Sequence, residues 1–368
     1  MYEPNAKDVD YFRYSIYTVM GPTLMVSNLI IVVIIFRHKA LRDLKEYTII
    51  GSLALADSLA GLGDTCAGIY RLTVLYNNQH TKAVTRKFCF LTPHMFIWTF
   101  TLPLQAIMLC VVSSDRLLAV YDPLMYMGFT QRYALYTAGL VYLVCLGMLP
   151  LNAVTLWNAN ETDVKPICNV SWGFLPRIFD LVYGIRCFGV FFSVILFMAV
   201  WRYFNRNCTN TDAMAHVGLS GAAIETEMKR QKKLTKSIAY SCLFTFFFTA
   251  LPIAALYFSV KFDFYYYEIS VTAHQLSNLN PMMNLVIYLR RHADLRRGLR
   301  AIVKCESMPE SISNWSHTVL GPSAVHAPVV ANDSVKMHPL AQQLASGRRK
   351  TMDTAPADAD KLSVKSFQ

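Results

Sequence analysis

Ser114-Asp115-Arg116-Leu117-Leu118-Ala119-Val120-Tyr121-Asp122-Pro123-Leu124-Met125-Tyr126 follows a long apolar stretch that runs from Phe90 to Ser113. An Asp–Arg pair is costly inside lipid and routine just beyond it. The pair therefore marks the end of a membrane helix, or it is held at the membrane edge for a purpose. Outward from this stretch the same pattern repeats. Seven windows, at 14–36, 47–69, 90–114, 133–156, 178–201, 234–260 and 265–289, each cover the roughly 20 residues that span a bilayer. The last is the most polar, with Glu268, His274, Gln275, Asn278, Asn280 and Asn284. The chain is 54% hydrophobic and only 16% charged, against about 25% charged in a soluble domain. Lipid cannot satisfy open backbone groups, so the expected class is an all-α membrane protein with a seven-transmembrane helix bundle.

The organisation expected is a polar extracellular tail at 1–13, a membrane domain at 14–304, and a cytoplasmic tail at 305–368. That last segment is polar and rich in Ser, Ala and Pro, a composition expected to stay disordered. No cleavable signal peptide is expected, because 1–13 is polar and the first apolar run is long enough to span. A net charge of +11 raises nucleic acid as a partner, but its placement points to membrane orientation instead. With the N-terminus outside, the cytosolic segments carry 19 Lys and Arg and the external ones 9. That asymmetry favours a cytosolic C-terminus, even though Arg71, Lys82, Arg86 and Lys87 were assigned to an external loop. The partners expected are membrane lipid and no nucleic acid.

Polar groups inside the windows are the candidate site residues. Asn28 needs partners on other helices. Asp57 sits mid-span, either as a functional carboxylate or as a neutral acid hydrogen-bonded to backbone. Asp64 lies seven residues on, on the same helical face and about 10 Å further out. Gln105 shares a face with Arg116 and falls near the level of Asp57, and Trp98 lies two turns above it. Trp98 reads equally as core packing or as a ligand contact. Gly61-Leu62-Gly63-Asp64 resembles the Gly-x-Gly-Asp motif of presenilin-type proteases, but that chemistry needs a second catalytic Asp. The only Tyr-Asp, Tyr121-Asp122, falls in an edge loop, so no enzyme is expected.

Asp115-Arg116 with Ala119-Val120, Pro123-Leu124 and Tyr126 resembles the third-helix end of rhodopsin-like (class A) G-protein-coupled receptors. Asn280-Pro281 in the last window and Pro252 in the sixth are similar to that family too. The departures are Leu117 for an aromatic, Ala250 for a Trp, Asn284 for a Tyr, and a fifth helix without its Pro. Those departures resemble the serpentine receptors of nematodes. The resemblance implies a receptor that transduces an extracellular ligand, a neuropeptide or a chemosensory small molecule, to a heterotrimeric G protein. It implies a multi-pass plasma-membrane protein with its N-terminus outside and a Cys89–Cys168 disulfide over the bundle mouth. It implies a possible sodium ion at Asp57, the one metal candidate, and no other cofactor. It implies an amphipathic eighth helix at 290–304, with Cys305 placed for palmitoylation.

Within that frame Asp64, Trp98, Tyr266 and His274 are the candidate ligand contacts. Asn28, Asp57, Gln105, Ser277 and Asn280 form a candidate polar centre. Asp115, Arg116, Leu124, Lys232 and Lys233 are candidates for the G-protein face. Asn160 and Asn169 head acceptor motifs for N-glycosylation. The alternatives are a transporter or channel, disfavoured by the missing internal repeat and sparse buried charge, or a receptor-like protein that couples to nothing.

Overall fold

Where it is described, each long apolar stretch folds as a helix, the one open-ended shape that satisfies its own backbone in lipid; 234–243 of the sixth window lie outside the described residues. The computed structural model describes residues 4–80, 82–122, 125–126, 128–157, 164–207, 244–262 and 266–306. The helices are α1 (Pro4–Arg37), α2 (Lys45–Tyr76), α3 (Pro93–Tyr121), α4 (Gln131–Trp157), α5 (Pro176–Asn207), α6 (Phe246–Lys261), α7 (Tyr266–Arg291) and α8 (Ala293–Val303). Of these, α1 to α5 are long and apolar enough to cross a membrane. The described part of α6 is a shorter apolar helix, and α7 has the length but carries the polar residues noted above. Among the described residues there is no strand, only an isolated antiparallel bridge between Val84 and Val164. Large apolar side chains such as Leu140, Leu143, Phe188, Ile195 and Met198 are exposed on α4 and α5, as a lipid-facing surface requires.

The helix ends differ from the sequence windows for physical reasons. α1 begins at Pro4 rather than at 14, so most of the expected tail is helical. Tyr14 and Tyr17 are fully buried against Val74, Leu75, Ile167 and Val271, and this packing extends the helix outward. α2 runs to Tyr76 and takes in Arg71, which is buried in the bundle rather than set in a loop. α4 runs the length of its window but is not continuous. It breaks at Gly147 and restarts at Met148, which puts Pro150 in a first turn, where the missing N–H matters least. In α6 the turn Phe246–Ala250 is widened to a π-helix just before Pro252. Pro252 cannot donate to the carbonyl four residues back, and a wide turn relieves the clash. The expected amphipathic helix is present as α8, which buries Leu295, Gly298 and Ala301.

α1 and α2 touch backbone to backbone. An added Cβ at Gly61 would lie 2.6 Å from the Met25 nitrogen and 2.8 Å from the Gly21 oxygen. One at Gly63 would meet the Trp98 ring at 2.9 Å. Small residues of this kind let membrane helices approach closely. The glycines of the protease-like motif are thus packing contacts. Asp122 caps the far end of α3, about 35 Å along the axis from Trp98, so no second acid reaches Asp64. Gly61→Val is expected to push α1 off α2 and to cost about 1–3 kcal/mol or more. Thermal melting of the purified chain checks this, and an unchanged midpoint would show that the contact is loose.

Candidate functional site

α2 presents Asp57, Asp64 and Arg71 at intervals of seven residues, so one face carries all three at steps of about 10 Å. All three are buried, and each meets a different layer of the bundle.

Arg71 supports the loop joined to α3 by the Cys89–Cys168 disulfide. Its guanidinium donates to the carbonyls of Ile167 (3.1 Å) and Cys168 (3.3 Å). It also lies 5.4–5.5 Å from the rings of Tyr14, Tyr17 and Trp98. Tyr70 Oη donates to Pro166 O at 2.8 Å, His94 Nε2 to Cys168 O at 3.3 Å, and Arg86 to Phe174 O at 3.0 Å. The described part of the loop, from 166 to 174, is strapped down at several points.

Asp64 accepts from Trp98 Nε1 (3.1 Å), His274 Nε2 (2.9 Å) and Asn278 Nδ2 (2.6 Å). One carboxylate thereby ties α2 to α3 and twice to α7. The His274 ring stacks on Tyr17 at 5.6 Å and lies 4.9 Å from the Trp98 ring. A cavity of about 10 Å³ remains beside Arg71, Trp98, Tyr183 and His274, room for about one water.

Asp57 makes a second clamp on the same three helices. It accepts from Gln105 Nε2 on α3 (2.8 Å) and Asn284 Nδ2 on α7 (3.3 Å). Asn28 ties α1 to α7 by donating to the Pro281 carbonyl at 3.2 Å. Asn280 leaves its Oδ1 without a hydrogen bond. Asp57, Gln105, Ser277 and Asn280 line one cavity of about 50 Å³. Among the described residues no three His, Cys, Asp or Glu side chains gather around a metal position. The Asp57 carboxylate and Asn280 Oδ1 are among the side-chain oxygens that line that cavity.

At the end of α3, Asp115 and Arg116 are both buried and paired with each other. Tyr126 locks the pair from the following loop. Its Oη accepts from Arg116 at 2.7 Å and donates to Asp115 Oδ2 at 3.1 Å. Lys45, at the start of α2, holds that loop through the carbonyls of Tyr126 and Phe129 and sits 3.9 Å over the Tyr126 ring.

A stack of polar clamps between a disulfide-strapped loop and an ion-paired Arg is what the motif resemblance implies. The model of the family described as 7 transmembrane receptor (rhodopsin family) matches residues 27–288. The chain belongs to this family. Among its relatives are the proteins named G-protein coupled receptor 12 of Mus musculus and Rattus norvegicus. Each is 24% identical over 304 residues, covering 80% of this chain and 81% of the relative. The Homo sapiens protein of that name is 23% identical over the same length and coverage. This is a multi-pass membrane receptor of the G-protein-coupled class, not an enzyme.

In the receptor, three of the expected ligand contacts come together: Asp64, Trp98 and His274. The fourth, Tyr266, opens α7, and its side chain lies outside the described residues, as do Leu124, Lys232, Lys233 and Asn160. Of the expected polar centre, Ser277 sits above the rest, with its hydroxyl donating to the His274 carbonyl at 2.8 Å. Asn28 reaches α7 from outside the cavity by donating to the Pro281 carbonyl. Asn169, the other expected glycan acceptor, is buried, and its Nδ2 is without a hydrogen bond. Cys305 follows α8 and is exposed.

Sequence reading missed Arg71, Asn278, Asn284 and Tyr126 in the receptor. Spacing carries a signal for the first two. Arg71 continues the seven-residue interval of Asp57 and Asp64, and Asn278 lies one turn from His274. Asn284, a polar residue of the last window that departs from the family Tyr, donates to Asp57. Tyr126 had no such signal, because its loop must fold back onto α3 before it reaches the ion pair.

Proposed function

We propose that this receptor lies in the plasma membrane with its N-terminus outside, and that it passes the binding of an extracellular small molecule to a heterotrimeric G protein. The Cys89–Cys168 bridge lies at the α1 N-terminal end of the bundle, which suits an oxidising exterior. Basic α8 lies at the other end, where it suits an anionic inner leaflet. One observation carries the coupling. Asp64 and Asp57 each clamp α2 to both α3 and α7. A ligand that repacks the Asp64 layer strains the Asp57 layer through the same three helices, and α3 continues to the locked Asp115–Arg116 pair. The ligand shifts this equilibrium only by its preference for the unlocked packing.

The strapped loop and the small space beneath it favour a chemosensory-type small molecule over a neuropeptide. Asp57 and Asn280 are the residues that would hold a sodium ion, whose charge would steady the resting clamp. Arg116, once free of Asp115 and Tyr126, meets the G protein, with Leu124, Lys232 and Lys233 assigned to the same face by sequence. The test is nucleotide exchange on a panel of G proteins, driven by a library of volatiles, metabolites and neuropeptides. Arg116→Ala is expected to abolish ligand-driven exchange while a ligand-induced melting shift persists. A wild type that drives no exchange on any G protein ends the coupling reading, and an exclusively peptidic hit set ends the small-molecule one.

A further inference from the structure

A third buried arginine lies within the membrane domain, and its partners among the described residues do not balance its charge. Arg186 on α5 is only 4% exposed. Among the described residues the one hydrogen-bond partner of its guanidinium is Ser277, at 3.4 Å. Ser277 spends its own proton on the His274 carbonyl, so it offers Arg186 a lone pair and no charge. A guanidinium carries five N–H donors, and a buried cation without a counter-charge is strongly disfavoured. Asp57 lines the same cavity, but its two oxygens accept from Gln105 and Asn284, and no ion pair joins it to Arg186.

The surroundings of Arg186 are polar and roomy. The cavity of about 50 Å³ brings Arg186 together with Gln105, Thr249, Ser277 and Asn280 from α3, α6 and α7. Thr249 Oγ1 is buried there without a hydrogen bond, and a hydroxyl can turn its proton toward an anion. The space equals a few water-sized groups, at roughly 10–15 Å³ each.

We propose that this cavity is a small-anion site, in which Arg186 pairs with a monovalent anion supported by the Thr249 hydroxyl. The shared chemistry is one compact negative charge, supplied by a free halide or by the carboxylate end of a bound small molecule. The inference goes beyond the signalling role and stands without it. A chain that binds the anion yet never engages a G protein would sink only the coupling reading.

The experiment is thermal melting of the purified full-length chain in nanodiscs, with chloride exchanged for gluconate at fixed ionic strength. Gluconate is too large for the cavity. At chloride about tenfold above its Kd, the midpoint is expected to rise by roughly 2 °C. Arg186→Met is expected to melt no lower than wild type in gluconate and to lose the chloride response. Arg186→Lys keeps the charge and is expected to keep a weakened response, so it serves as the comparison if the Met variant does not fold. Formate in place of chloride separates the sources. A formate response that competes with chloride identifies a carboxylate-reading site, and a response to chloride alone identifies a halide site. Choline in place of sodium, at fixed chloride, reads the cation at Asp57 separately. A wild type indifferent to the anion, or an Arg186→Met variant that responds like wild type, overturns the proposal.

Discussion

Basal nucleotide exchange is expected to rise by about 10–100-fold when Tyr126 is replaced by Phe. The Tyr126 hydroxyl accepts from Arg116 and donates to Asp115. A hydrogen bond to a charged group contributes about 1.5–3 kcal/mol, and each 1.4 kcal/mol is about tenfold in an equilibrium. The Phe variant keeps the ring that Lys45 covers, so the loop stays anchored and only the lock weakens. Exchange on reconstituted G protein at matched receptor density reads the change. Unchanged or lower basal exchange would mean that the lock does not restrain the resting state. Arg116→Ala separates lock from contact, because it removes the group that the lock restrains.

Asp64→Ala is expected to lower stability by about 3–5 kcal/mol, the cost of breaking a buried charge-assisted cluster. The change strands Trp98 Nε1, His274 Nε2 and Asn278 Nδ2, all buried and all aimed at one carboxylate. The melting midpoint should fall by roughly 4–7 °C, and ligand-driven exchange should be lost with it. Asp64→Asn should recover part of the loss, since its oxygen still accepts while its amide faces a donor. An Ala variant that melts like wild type would show that water satisfies these donors. The Asp64 layer would then not be the clamp that transmits ligand binding.

Much of this arrangement was legible in order along the chain. The seven windows, the Asp115-Arg116 edge, the Asp57–Asp64 face and the Cys89–Cys168 pairing rest on local properties: apolar length, helical period and motif. Where local properties compete, the reading slipped. Arg71 looked like a loop charge because a cation rarely lies in a membrane span. It stays buried because two carbonyls of the strapped loop and three aromatic rings surround it. Asn169 heads a glycan-acceptor motif of three residues, and the strapped loop it belongs to turns it inward, a burial that no local motif shows.

By itself the sequence determined a helical membrane bundle, its family, and which helix faces carry charge. Those follow from the cost of open backbone in oil and from a period of 3.6, both readable one segment at a time. Only the tertiary structure decided which groups satisfy one another. Asp64 found Trp98, His274 and Asn278, Asp57 found Gln105 and Asn284, Tyr126 locked Arg116, and Arg186 was left, among the described residues, with one neutral partner. Partner choice depends on how far each helix slides and turns against its neighbours, and packing of the whole bundle sets those few ångströms.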